Sequence, residues 1–154
     1  MAPSSAGTDI VLPLIVGLPA TVATIFVHAL ALIAIVHFVR RLRILGLAGV
    51  HFLRDVTIVA GAVVVALAAH LIEIATWAMV FERCGEFRDF ATAFYSSAEN
   101  YTTLGYGDVV MSARWRLLGP LEAANGMLLF GVTTAMIFTV IQRLIQMRLG
   151  DFRP

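Results

Sequence analysis

The chain has 154 residues, is 60% hydrophobic and only 14% charged, and carries a net charge of +1 with a mean hydropathy of +0.89. Soluble domains are about half apolar and about a quarter charged. The balance excludes an ordinary soluble enzyme, a disordered segment, and a nucleic-acid binder, which needs a strongly basic field. All 11 basic residues are arginine, and lone Cys84 builds neither an intrachain disulfide nor a thiolate metal site. The expected class is an all-α integral membrane protein, read as a single membrane domain over residues 1–154.

The first element is an uncharged run over residues 10–39. As a helix it is roughly 45 Å long, against a hydrocarbon core of roughly 30 Å. It must tilt, bend or protrude, and Pro13 and Pro19 offer places to bend. It is too long for a signal-peptide core, and no basic residue precedes it, so it is read as retained. His28 stands alone on this helix and is expected to be a satisfied buried histidine. Arg40, Arg41 and Arg43 follow at the membrane edge, where they read as a topology signal in contact with anionic lipid. No span carries arginine at every third position, so no voltage-sensing helix is expected. His37 and His51 lie near the same edge and are expected to be solvated.

A second span is expected over residues 56–81, interrupted by His70 and Glu73. Three apart, these share one helix face, which Trp77 continues. A charged side chain at a helix centre costs about 2.5–3.5 kcal/mol on insertion scales, so Glu73 should face protein, neutral or paired. Three readings stand for the pair: a proton sensor, part of a metal site, or a hydrogen bond to Asn125 or Glu122 on the last span. One histidine and one glutamate are few ligands for a metal, and the hydrogen bond is the simplest of the three. Trp77, Phe81 and Trp115 suit an outer aromatic belt.

Residues 89–102 predict a short helix, with Asp89 as its cap and Phe90, Ala91, Phe94, Ala98 and Tyr101 at helical spacing. At roughly 20 Å it cannot cross a bilayer, so it reads as a re-entrant hairpin dipping in from outside. A third span is expected over residues 117–142, with Glu122 and Asn125 in its outer half. Arginine dominates the first connection and the C-terminal tail, which places both in the cytoplasm and the N-terminus outside.

Between the short helix and the last span runs Thr102-Thr103-Leu104-Gly105-Tyr106-Gly107-Asp108. This stretch resembles the selectivity filter of the potassium channel family, usually T-V-G-Y-G-D. The resemblance spans about residues 89–142. A potassium ion in a narrow pore must exchange its water for other oxygens, and backbone carbonyls serve if successive residues turn them to one side. That needs alternating backbone conformations, some at positive φ, which glycine adopts cheaply; Gly105 and Gly107 supply them. The resemblance implies that K⁺ is coordinated by Thr103, Leu104, Gly105 and Tyr106. One chain offers one carbonyl per ring, so the family's assembly, a four-fold homotetramer, is implied as well. The C-terminal end of the short helix would add its partial negative charge toward the pore.

By the same resemblance Gly107, Asp108, Glu99 and Tyr95 support the filter: Glu99 is protonated and bonded to Asp108, with Tyr95 nearby. Tyr106 is expected to point away from the pore and brace against the short helix. Arg116, Gly126, Gly131 and Thr134 fall where the family's inner helix has an arginine, a hinge glycine, a second small residue and a cavity-facing threonine. For Gly126 and Gly131 two readings remain open, a gating hinge or close packing through small residues. Phe138 or Ile141 would narrow the inner mouth. Leu104 departs from the usual Val or Ile, Ser96 replaces an aromatic common on the short helix, and Val110 replaces an outer-mouth aromatic found in some members.

The expectation is therefore three transmembrane helices with a re-entrant pore helix at 89–102 and a filter at 103–108. It describes a K⁺-selective channel of the cell membrane, not an enzyme, with no cofactor and with K⁺, the lipid bilayer and its own copies as partners. One alternative is a nonselective cation channel of the same fold, against which Tyr106 stands. The other is a membrane metal-binding protein using His28, His70, Glu73 and Glu122, which leaves the Gly-Tyr-Gly unexplained.

Overall fold

The structure, a computed structural model, describes residues 10–150, and every regular element among them is helical: α1 (Val11–Ile44), α2 (Phe52–Arg83), α3 (Phe90–Tyr101) and α4 (Leu118–Gly150). Three helices, α1, α2 and α4, are long and apolar enough to cross a membrane. Each extends past its apolar run. Helix α1 carries Arg41 and Arg43 in its last turn, and α4 carries Arg148 in its own. Arginine is a good helix former and complements the negative end of the helix dipole, so charge closes the apolar stretch without ending the helix. Pro13 sits in the first turn of α1, where no intrahelical N–H is lost, and α1 runs unbroken through Pro19.

Contacts divide the chain into two compact units, and the division falls within each long helix. The first unit comprises the chain up to Thr24 and Ile74–Met127; the second comprises Ile25–Glu73 and the chain from Leu128.

In the first unit, Trp77, Phe81, Ala93, Tyr101 and Leu118 are fully buried. Trp77 and Phe81 stack at 6.0 Å, and Phe81 meets Phe87 edge-on at 6.3 Å. These two aromatics and Trp115, expected as an interfacial belt, are core residues instead. Burial of three large rings in the unit that carries the short helix gives it more apolar area than a lipid-facing belt would. Asn125 on α4 donates to the Thr24 hydroxyl of α1 at 2.7 Å, and that hydroxyl in turn donates to the Thr21 carbonyl.

Helix α3 begins at Asp89, whose carboxylate accepts the Thr92 N–H at 2.9 Å and the Thr92 hydroxyl at 2.8 Å. The backbone N–H bond first, then the hydroxyl, hold the Asp89 carboxyl below the usual carboxylate range. Its capping contribution is present above the unfolded-state pKa and is lost as pH falls through the lower folded-state value. Asp89→Ala is therefore expected to lower the melting temperature at neutral pH. The gap from wild type should close on acidification, as thermal melts across pH 2–7 would read.

In the second unit, Ile35, Ile58, Ala62, Ala66, Val140 and Leu144 form the core. The turn between α1 and α2 uses Gly49 at φ +79, where an added Cβ would meet Met147 Cβ at 2.7 Å. Asp55, near the start of α2, accepts the Gly49 N–H at 2.8 Å and pairs with Arg148 of α4, closing this end of the unit.

Candidate functional site

The segment following α3 lies in the first unit, and its backbone is unusual. Thr103, Gly105 and Gly107 have φ of +59, +57 and +77, while Leu104 and Tyr106 between them do not have positive φ. Handedness thus alternates residue by residue. Gly105 and Gly107 were legible as positive-φ positions; Thr103 was not, because threonine rarely adopts that region. It is held there by its own N–H, which donates to the Asn100 carbonyl at 2.9 Å, and by the Leu104 N–H, which donates to the Glu99 carbonyl at 2.9 Å.

These bonds fix where the carbonyls point. The amides of Thr103, Leu104 and Tyr106 all turn back toward the end of α3, the last onto the Glu99 carboxylate at 3.1 Å. In a trans peptide the N–H and the preceding carbonyl point in opposite directions. The carbonyls of Thr102, Thr103 and Gly105 therefore face away from α3, on the exposed side of the segment.

Helix α3 is fastened where it must be to hold this geometry. The Ser97 hydroxyl lies 2.8 Å from the Ile74 carbonyl of α2 and 2.5 Å from Glu122 Oε1 of α4. Glu122 is fully buried, and its task is to hold the short helix rather than to meet His70 or Glu73. Beyond the segment, Glu86 accepts both the N–H and the hydroxyl of Ser112, at 2.6 and 2.7 Å.

Two expectations need correction. Glu99 and Asp108 do not bond to each other: Glu99 takes the Tyr106 N–H, and the Tyr95 hydroxyl donates to Asp108 Oδ2 at 3.1 Å. The Tyr106 amide turns toward the end of α3 and takes the Glu99 oxygen as its acceptor, which leaves Asp108 to the Tyr95 hydroxyl. Desolvation and the Asp108 bond push the Tyr95 phenol up to about 12, so it stays a donor throughout the working pH range. Tyr106 does not brace its own short helix; its ring is 71% exposed in the single chain. Of the two readings open for Gly126 and Gly131, close packing fits the contact at Gly126: an added Cβ there would lie 2.2 Å from the Tyr101 carbonyl oxygen, whereas one at Gly131 meets nothing within 4 Å.

Glu99 can be tested directly. Glu99→Ala leaves the Tyr106 amide without its acceptor and is expected to lower ion flux into liposomes at least tenfold. Glu99→Gln keeps a carbonyl oxygen in place and should hold flux within about threefold, since one neutral hydrogen bond is worth about 1 kcal/mol.

The second unit brings together a different set. His28 is buried and satisfied, as expected, with Nδ1 3.0 Å from Glu73 Oε1, and His70 Nδ1 lies 3.0 Å from Glu73 Oε2. The expected bond from His70 or Glu73 to Asn125 or Glu122 is replaced by this cluster, since Asn125 pairs with Thr24 and Glu122 with Ser97. One sequence could not reveal it, because His28 sits 45 positions from Glu73 on another helix.

Comparison with known families bears on the first unit and part of the second. Residues 69–143, just under half of the chain, match the model of a family described as ion channels. This part of the chain is similar to the ion channel family. Comparison with curated proteins and with solved structures finds no match. With three helices long and apolar enough to cross a membrane, the chain is a multi-pass membrane protein. The match takes in all of α3, the segment after it and most of α4.

Proposed function

We propose that the chain is one subunit of a potassium-selective channel, in which four copies surround a pore lined by the carbonyls of Thr103, Leu104, Gly105 and Tyr106. The observation that carries this reading is the alternating backbone at Thr103, Gly105 and Gly107, with the N–H groups of Thr103, Leu104 and Tyr106 bonded back to the end of α3. The Thr103 hydroxyl adds the innermost oxygens. A single chain supplies one oxygen per level, too few to replace a hydration shell, and four copies supply a ring. The exposure of Leu104 (56%) and Tyr106 (71%) in one chain supports assembly. Gly107 forms the outer turn, and Asp108, held by Tyr95, fixes it.

Transport in this reading is passive and needs no cofactor or catalytic residue. The C-terminus of α3 aims its partial negative charge toward the same side as the carbonyls and favours a cation there. The N-terminus faces outside and the C-terminal end faces the cytoplasm, following the arginine asymmetry of the connections.

Reversal potentials of the reconstituted protein in opposed K⁺ and Na⁺ gradients test the function. A reversal potential near the K⁺ equilibrium value supports it. One near zero assigns the nonselective alternative, and no current in either ion rejects a channel altogether.

A further inference from the structure

Away from the Thr103–Asp108 segment, the second unit gathers a compact set of metal-ligating side chains. One coordinating atom from each of His28, His70 and Glu73 lies within 4.8 Å of the other two, and all three residues are buried. They come from two helices, His28 from α1 and His70 and Glu73 from α2. The Glu73 carboxylate stands between the imidazoles, with His28 Nδ1 3.0 Å from Oε1 and His70 Nδ1 3.0 Å from Oε2. His70 and Glu73 alone are too few ligands for a metal; α1 adds the second histidine and completes a set of three.

The far sides of both rings indicate which nitrogens would bind. His70 Nε2 lies 3.0 Å and His28 Nε2 3.2 Å from the Thr133 hydroxyl of α4. A hydroxyl has two lone pairs and one proton, so it can accept from both rings but donate to only one. With both rings protonated at Nε2, Thr133 accepts both N–H groups, and both Nδ1 lone pairs face the Glu73 carboxylate. Lone pairs and a carboxylate repel one another unless a cation stands among them. Metal-ligating histidines are held in this way, each donating its other ring N–H to an oxygen that fixes the tautomer and the ring orientation.

The donor set selects the ion. Two imidazoles and a carboxylate suit zinc, whereas calcium and magnesium take oxygen shells. At zinc bond lengths of about 2.0–2.2 Å, tetrahedral ligands stand about 3.3 Å apart. The nitrogen–oxygen contacts are 3.0 Å, so a small outward turn of the side chains seats the ion. Three protein ligands leave one tetrahedral position open. A hydroxide there leaves the buried site with no net charge, which an apolar span favours. We propose that His28, His70 and Glu73 bind one zinc ion per chain, tying α1 to α2 within the second unit, with Thr133 orienting both histidines. The site is independent of the pore reading, since none of its residues lies in the Thr103–Asp108 segment.

The Phe130 ring packs on His70 with centroids 4.4 Å apart, so metal is best supplied as the chain folds. The experiment uses the full chain without a histidine tag, purified from cells grown with added zinc. A His37→Gln/His51→Gln/Cys84→Ser background leaves the two buried histidines as the only ones present. Elemental analysis of this parent protein should find one zinc per chain. Zinc X-ray absorption should show two imidazole nitrogens at about 2.0–2.1 Å together with oxygen. Zinc content should fall by about tenfold or more in His28→Gln, and Thr133→Val should weaken zinc binding about 10–100-fold, the usual effect of removing an outer-shell partner. Less than a tenth of an equivalent of zinc in the parent protein would overturn the proposal, as would full zinc content in His28→Gln. Should His28→Gln fail to fold, the absorption spectrum of the parent decides: fewer than two imidazoles on zinc overturns the site.

Discussion

Gly126→Ala is expected to unseat the short helix and abolish ion flux. The added methyl would lie 2.2 Å from the Tyr101 carbonyl oxygen, 3.1 Å from its carbon and 3.2 Å from Tyr101 Cδ1. None of these can yield cheaply. The carbonyl belongs to the last residue of α3, and the Tyr101 side chain is fully buried. Overpacking of this kind costs about 1–3 kcal/mol, occasionally more, and the displaced group is the end of the helix from which the Thr103 segment hangs. The contrast is Gly131→Ala, which meets open space and improves helix propensity by up to about 1 kcal/mol. Gly131→Ala should keep both melting temperature and flux. A hinge role for Gly126 predicts the opposite pattern, with flux lost but the melting temperature unchanged or raised. Thermal melts and liposome flux on the two variants separate packing from bending.

Gly105→Ala should remove flux for a different reason. Nothing lies within 4 Å of an added Cβ, so space is not the issue in the single chain. The backbone is: φ is +57, and a side chain there costs about 1–2 kcal/mol. In the proposed assembly four chains bear that cost at one level of the pore, about 4–8 kcal/mol in all, enough to favour a flipped peptide over an inward carbonyl. Flux should fall more than tenfold. Gly85→Ala supplies the matched control. It has φ +75 and equally open surroundings, but it lies in the connection between α2 and α3. Flux within about twofold of wild type is expected there. Equal loss in both variants would mean that the Gly105 effect is general strain rather than disruption of an ion path.

What the sequence revealed and what it hid follow from the range of each interaction. The three long helices were legible because apolar runs against lipid are a local property of composition, and α3 because Asp89 and the spacing of Phe90, Phe94 and Tyr101 are local signals. The positive φ of Gly105 and Gly107 was legible for the same reason. Helix ends were not, since arginine closes an apolar run while continuing the helix. The contacts read wrongly were those between distant positions. Glu99 found the Tyr106 amide instead of Asp108, and Glu73 found His28. Trp77 and Phe81 carry the composition of an interfacial belt and are buried, Phe81 meeting Phe87 of the connection that follows α2. Tyr106 was expected to brace its own helix and is 71% exposed instead.

Anomalous diffraction from crystals grown with Rb⁺ in place of K⁺ examines the ion path itself. The structure as understood here predicts a short column of Rb⁺ sites on a four-fold axis, each enclosed by carbonyl oxygens from Thr103 to Tyr106 of four chains. Rb⁺ absent from that segment, or the segment lying at the edge of a lone chain, would contradict it.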